Sequence, residues 1–293
     1  MKCGFVAILG RPNVGKSTLL NAMLSKKVSI VSPKAQTTRD AVLGIYEDSE
    51  SQIVFVDTPG IHHGDKKLDS HMRREAFGSA RDVDAILYLI DASAPSLDED
   101  LRIINGIGSE APRIFVLNKI DLVRPEVGKG KLADLKVAFP DATFIEASLK
   151  ENFGLKEIKE AVLPLLSGDQ PFYPSDMITD KDTAYQAKEV IREKMLHFLR
   201  DEIPHSSAVK IESIYLPEDG YHITATIIVD KPNHKGIVIG KGGKMIKAIS
   251  LAARQELERM WKTNVASLVL RVEVVEGWRD DMRKLLEVGY GDR

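Results

Sequence analysis

The chain has 293 residues, enough for one large domain or two ordinary ones. Hydrophobic residues make up 43% and charged residues 29%, with a formal net charge of -2, so the composition is that of a soluble globular protein and any basic surface must be local. The single cysteine, Cys3, excludes an intramolecular disulfide and a cysteine-based zinc cluster and fits a reducing, cytoplasmic setting. No run approaches the roughly 18 apolar residues of a membrane span.

The chain opens with "CGFVAIL", a near-continuous apolar run that reads as a strand buried on both faces rather than a signal peptide. "GRPNVGKS", residues 10 to 17, follows and fits G-x-x-x-x-G-K-S/T. The next stretch, "STLLNAML", reads as a helix, so the motif has the strand-to-helix context it requires. Gly10 and Gly15 let the backbone wrap a phosphate. The successive amides from Asn13 through Val14 to Thr18, at a helix N-terminus, favour negative charge. Lys16 is expected to reach the β and γ phosphates, and Ser17 to bind Mg²⁺ through its hydroxyl.

"SPKAQTTRD", residues 32 to 40, is polar and rich in hydroxyls. Nucleotide-bound Mg²⁺ takes a second hydroxyl from such a loop, with Thr38 the first choice and Thr37 the second. "AVLGIYED" and "QIVFVD" then read as a hairpin of two strands. "DTPG" ends the second of them, placing Asp57 to hold the Mg²⁺ shell through water and Gly60 to offer its amide to a γ-phosphate. In the stretch after Gly60, His62 and His63 are adjacent in sequence and are expected to make poor metal ligands.

Strands "DAILYLIDA", "RIFVLNK" and the weaker "ATFIEAS" alternate with helical stretches around 68–80, 98–107, 126–136 and 155–166, an α/β order with a mostly parallel sheet. "NKID" ends the strand "RIFVL" and discriminates between bases. Asp121 accepts from the guanine N1 imino and 2-amino groups; adenine lacks both donors, and the unpaired carboxylate rejects it. Asn118 is placed for N7, and the Lys119 stem to cover the ring. In "EASLKENFG", Ser148 and the backbone of Leu149 and Lys150 are candidates for guanine O6.

"SGDQPFYPSDMITD" concentrates Gly, Pro, Ser and Asp. The expected organisation is a first domain over 1–168, a linker over 169–182 and a second domain over 183–293. The second domain reads α-β-β-α-α-β plus a terminal helix. Between its two central helices lies "IGKGG", residues 239 to 243. This stretch lacks the Gly-Lys-Ser ending and instead resembles the Gly-x-x-Gly loop of a type II K-homology domain, which clamps the backbone of single-stranded nucleotides. Gly240 and Gly243 are the matching glycines, with Gly242 between them. From Asp230 to Glu256 the chain carries six basic residues, Lys231, Lys235, Lys241, Lys244, Lys247 and Arg254, and no acidic one in between. Ile237, Val238, Ile239 and Ile246 are candidates for the apolar floor under the bases; Ile239 and Ile246 fit the core as well. Trp261 and Trp278 read as packing residues.

Residues 1–168 resemble the small GTPase domains of the translation-factor-related class, whose nucleotide motifs are matched in order. Ile61 departs from the glutamine that orients water in Ras-like relatives, so hydrolysis is expected to be slow without a partner or a monovalent cation. Asn13 resembles the asparagine by which some relatives hold a K⁺ that assists hydrolysis. The residues assigned to catalysis are therefore Asn13, Lys16, Thr38 and Gly60, and to the metal Ser17, Thr38 and Asp57. Both halves together resemble the bacterial Era family of GTPases. The resemblance implies GTP/GDP and Mg²⁺ as ligands. The implied partners are the 3′ end of 16S ribosomal RNA, held by Lys235, Ile239, Gly240, Lys241, Gly242, Gly243, Lys244 and Lys247, and the small (30S) subunit, whose maturation it assists. A monomer is expected; peripheral association with the inner membrane ranks low, since only amphipathic helices favour it. The competing reading is a signalling GTPase whose C-terminal domain binds a protein.

Overall fold

Apolar side chains on both sides of a strand demand cover on both sides, and the first strand sets the architecture accordingly. The computed structural model describes residues 1–34, 37–61 and 66–290. In it β1 (Lys2–Gly10) sends Val6 and Ile8 into one apolar cluster and Ala7 and Leu9 into another. There follow α1 (Lys16–Leu24), β2 (Val42–Glu47), β3 (Ser51–Asp57), α2 (Lys67–Gly78) and β4 (Ala85–Asp91). Then come α3 (Asp98–Asn105), β5 (Arg113–Asn118), α4 (Pro125–Ala138), β6 (Thr143–Glu146) and α5 (Leu155–Val162). The six strands lie in the order β2-β3-β1-β4-β5-β6. β2 and β3 form the expected antiparallel hairpin, and the remaining pairs are parallel.

Leu19, Leu20 and Met23 of α1 and Ile158 and Val162 of α5 fill the cluster on one face of the sheet. Ile103 and Ile104 of α3 and Leu135 of α4 belong to the cluster on the other. The register then aligns the functional loops. Ile8 pairs with Asp57, Gly10 with Leu89, and Asp91 with Asn118. The carboxyl ends of β1, β3, β4 and β5 therefore share one edge, at the strand where the order reverses, which is where open α/β sheets place ligands.

The chain divides into two compact units, one of residues 1–63 and 72–180, the other of residues 64–71 and 181–293. The stretch expected as a linker, 169–182, is hydrogen-bonded to the first unit as far as Asp180. Ile45 N donates to Ile178 O (2.8 Å), and Leu43 N to Asp180 Oδ1 (3.1 Å). Gln52 Oε1 accepts from the amides of Phe172 and Tyr173, and the Phe172 ring packs on Phe5. The physical reason is the edge strand: β2 has β3 on one side only, and its outward N–H groups need acceptors.

The second unit follows a different logic. It contains α6 (Thr183–Phe198), β7 (Ser207–Tyr215), β8 (His222–Val229), α7 (Pro232–Ile239), α8 (Lys244–Trp261), β9 (Ser267–Val274) and α9 (Met282–Glu287). The sheet is β7-β8-β9, antiparallel in its first pair and parallel in its second. Ile223, Ala225, Ile227 and Val229 alternate along β8 into one core, as the period of two requires. Val190, Ile191 and Met195 of α6 and Ile249, Ala253 and Leu257 of α8 complete that core. Element order and pairing are those of the α+β, type II K-homology arrangement expected from the sequence.

Candidate functional site

One cleft of about 540 Å³ lies over the shared strand ends of the first unit. Gly10 (φ +144°) and Gly15 (φ +107°) bend the first loop; a side chain at Gly15 would meet Asn118 Nδ2 at 2.4 Å. Gly15 caps α1 with no side-chain hydrogen bond, and the first-turn residues Lys16, Ser17 and Thr18 line the cleft, where a helix N-terminus favours an anion. Asn13 (φ +63°) donates from Nδ2 to Pro33 O at 2.8 Å. Lys16 is buried, and its ammonium donates to Gly10 O (3.1 Å) and Arg11 O (2.8 Å). Burial lowers its pKa to about 8, against the pull of Asp57 and Asp100.

Beside it three expected metal residues converge. Ser17 Oγ donates to Asp57 Oδ2 at 2.7 Å and lies 2.9 Å from Thr38 Oγ1. Asp57 is fully buried, and among the described residues its Oδ1 has no hydrogen-bond partner. Burial raises the Asp57 pKa, opposed by the hydroxyls of Ser17 and Ser29 and by Lys16. A desolvated carboxylate with one orphan oxygen and two hydroxyls beside it suits a hard divalent cation, which takes oxygen ligands and repays the burial of the charge. The residues present fit Mg²⁺. Thr37, the second choice, instead donates its hydroxyl to Lys34 O at 2.6 Å. Gly60 packs on the first loop so closely that a side chain would meet Pro12 Cα at 2.7 Å. Ile61 turns into the core, its amide donated to Gly10 O at 3.2 Å. His62 and His63 lie outside the described residues.

At the other end of the cleft, Asn118 is 3% exposed and joins three loops. Its Nδ2 donates to Val14 O (2.7 Å), and its Oδ1 accepts from Leu149 N (3.0 Å). The Leu149 amide, expected to face the base, is thus spent on Asn118, because it lies in the buried seam between loops. Ser148 N donates to Phe153 O at 3.2 Å, and its hydroxyl to Asp121 Oδ1 at 2.6 Å. Asp121 is thereby oriented by Ser148. Lys119 adopts φ +64° and is anchored by Asp91 Oδ2 at 2.6 Å. Thr18 and Lys150 line the same cleft. Sequence motifs did not indicate Asp91, Asn21 or Ser29. The first two are ordinary polar residues in helix and strand-end positions, and only register or packing assigns them partners. Asn21 Oδ1 accepts from the amides of Val28 (2.8 Å) and Ser29 (3.0 Å), and Ser29 Oγ donates to Asp57 Oδ2 at 2.7 Å.

In the second unit the Gly-x-x-Gly loop joins α7 to α8. Gly240 takes φ +73°, ψ 167°, and a side chain there would meet Met245 Cβ at 2.6 Å. Gly242 (φ +62°) and Gly243 (φ +74°) are also left-handed but have open space around them. Lys235, Lys241, Lys244 and Lys247 are exposed. Of the four apolar floor candidates, Ile237 is exposed and Ile239 and Ile246 are half-buried. Val238 is instead fully buried in the core, on the sheet side of α7 with Ile249 and Val265, and is not part of a floor. Trp278 is buried and donates to Ser206 O, and Trp261 donates to Gln186 Oε1 and packs on Tyr221; both are packing residues.

Comparison with known proteins follows the same division. A family model described as "50S ribosome-binding GTPase" matches residues 5–119, and one described as "KH domain" matches residues 202–279. GTPase Era of Geobacter metallireducens is 40% identical over 99% of this chain, and that of Caldanaerobacter subterraneus is 44% identical over 99%; 98% of each relative is covered. Two solved structures match over the whole of both chains, each at 39% identity and a TM-score of 0.95. One is a variant of Aquifex aeolicus Era bound to GDP.AlF4-; the other is Era in complex with MgGDPNP and nucleotides 1506–1542 of 16S ribosomal RNA. Relatives at this identity, matched from end to end, fix the family: the chain belongs to the Era family of GTPases.

Proposed function

We propose that the chain is a GTP-hydrolysing switch that binds the 3′ end of 16S ribosomal RNA and assists maturation of the small (30S) ribosomal subunit. The observation that carries the reading is one cleft with a cation end at Ser17 and Thr38, backed by the buried Asp57, and a base end at Asp121, in a chain that also bears an exposed basic Gly-x-x-Gly loop. An end-to-end relative was solved with both kinds of ligand. The nucleotide domain is assigned to 1–168, with the expected linker bonded to it as far as Asp180, and the RNA domain to 183–293.

The roles follow from the geometry. The amides of Asn13 to Thr18 and the Lys16 ammonium hold the phosphates. Lys16 exchanges its two carbonyl acceptors for phosphate oxygens. Asp121, pinned by Ser148, accepts from the guanine N1 and 2-amino groups. The second N–H of the Asn118 amide is the donor to N7, and the Lys150 amide the donor to O6. Ser17, Thr38 and Asp57 would hold Mg²⁺, which supplies charge neutralisation at the β and γ phosphate oxygens. Gly60 presents its amide to the γ-phosphate. The side chain after it, Ile61, is buried and cannot orient water, so hydrolysis is slow. Asn13 Nδ2 is committed to Pro33 O, which leaves Oδ1 as the acceptor that would hold a K⁺ ion, whose charge would assist hydrolysis. Lys235, Lys241, Lys244 and Lys247 hold the RNA backbone, and Ile239 packs under a base. The protein acts as a monomer. No helix of the described residues is long and apolar enough to cross a membrane, and peripheral attachment ranks lowest among the partners.

The test is binding of a short RNA from the 3′ end of 16S ribosomal RNA in GTP-analogue and GDP states, against a Gly240→Asp, Gly243→Asp variant. Expected are loss of binding in the variant, a nucleotide-dependent affinity in the native chain, and a salt slope of about -0.7 per phosphate contact. Equal binding by both chains would overturn the assignment of the loop. Absence of RNA binding at low salt would favour a signalling GTPase with a protein partner.

A further inference from the structure

Ser29 lies in none of the nucleotide motifs, yet it reaches the centre of the cation end. It is buried, four residues beyond the Ser25 cap of α1. One amide side chain clamps its backbone. Asn21 Oδ1 accepts from Ser29 N (3.0 Å) and from Val28 N (2.8 Å), and Asn21 Nδ2 donates to Ser29 O (2.7 Å). So held, Ser29 Oγ donates to Asp57 Oδ2 at 2.7 Å. Ser17 Oγ donates to the same oxygen at the same distance. Oδ2 therefore carries the bonds from both serine hydroxyls, and Oδ1 carries none among the described residues.

The two hydroxyls differ in what they can do. Ser17 is itself a candidate cation ligand, so its position depends on the metal. Ser29 is fixed by Asn21, whose helix packs against the sheet, and its bond to Oδ2 does not require a metal. A buried carboxylate held at one oxygen by a rigid donor cannot rotate, so its other oxygen keeps one direction. Outer-sphere donors of this kind orient ligands and tune their affinity.

We propose that Ser29, held by Asn21, is a positioning residue for divalent-cation binding: it fixes the Asp57 carboxylate so that Oδ1 is presented to the Mg²⁺ shell of the bound nucleotide. The proposal rests on the nucleotide reading above and deepens it.

The experiment follows release of a fluorescent GDP from the full chain as Mg²⁺ is titrated from chelator excess to saturation, for native protein and the Ser29→Ala, Ser29→Cys and Ser29→Thr variants. In Ser29→Ala the Mg²⁺ concentration at half-effect rises by about tenfold or more, the range seen when outer-sphere partners are removed. Release rates in chelator alone stay within twofold of native. Ser29→Cys, with a weak donor of similar size, shifts the same way, and Ser29→Thr, which keeps the hydroxyl, restores the native midpoint. If Ser29→Ala does not fold, the Cys and Thr pair carries the comparison. A merely structural role moves the chelator rate and thermal midpoint but leaves the Mg²⁺ midpoint unchanged, and that result overturns the proposal. Failure of the native chain to bind GDP at all would sink the nucleotide reading instead.

Discussion

The glycine loop at 10–17 is braced by residues far away in the chain, whereas the loop at 240–243 is held by its own helix ends. Val14 O accepts from Asn118, 104 residues on, and Asn13 donates to Pro33. In the second loop Gly240 N donates to Gly236 O and Gly243 N to Gly240 O, all within one short stretch. The lysines differ in the same sense: Lys16 is buried, while Lys241 and Lys244 are exposed. A loop that must grip a small, highly charged ligand is preorganised by the whole sheet, so that little reorganisation remains at binding. A loop that meets a long polymer can be local, because many weak backbone contacts share the work.

The comparison breaks first if the brace is cut. Asn118→Ala leaves Val14 O and Leu149 N buried without partners, at about 1–3 kcal/mol each. A stability loss of roughly 2–6 kcal/mol in denaturant titration is expected, together with a fall in GDP affinity of about 100-fold or more, from the misplaced loop and the lost donor to N7 together. Loss of stability with native GDP affinity would mean the loop needs no brace.

The second loop sharpens the contrast on a smaller scale. Gly240 sits in a region of backbone space open essentially to glycine alone, and a side chain there collides with Met245. Gly240→Ala should cost about 3 kcal/mol. Gly243 is left-handed with open space, so Gly243→Ala should cost only about 1–2 kcal/mol. Equal losses would mean that the crowding at Gly240 relaxes freely.

The smallest effect is in pH. Burial lowers the Lys16 pKa to about 8, and a phosphate held by its ammonium, as proposed, would raise it. Binding therefore takes up a proton above that point. GDP affinity is expected to be level below about pH 8 and to fall above it, by at most tenfold per pH unit, as read by titration calorimetry at several pH values. A flat profile to pH 9.5 would place the ammonium in solvent.

The sequence alone determined the order of elements, because apolar periodicity and strand-to-helix punctuation are local signals. It also singled out Gly10 to Ser17, Asp57, Asn118 to Asp121 and the Gly-x-x-Gly loop as candidates, because their chemistry is tied to short spacing. It singled out Thr38 over Thr37 only as a preference; the structure put Thr38 beside Ser17 and turned Thr37 to Lys34. Pairings across the chain were decided by tertiary structure alone. Asp91 meets Lys119 because β4 and β5 are in register, Ser148 meets Asp121 because β6 lies beside β5, and Ser29 meets Asp57 because Asn21 folds the chain back. Val238 likewise looks like groove floor in sequence and is core in the fold, since an apolar residue next to a glycine loop carries no mark of which side of its helix faces the sheet. Local pattern fixes which groups a loop offers; which group each one meets depends on sheet register and helix packing, and those join residues that have no spacing in common.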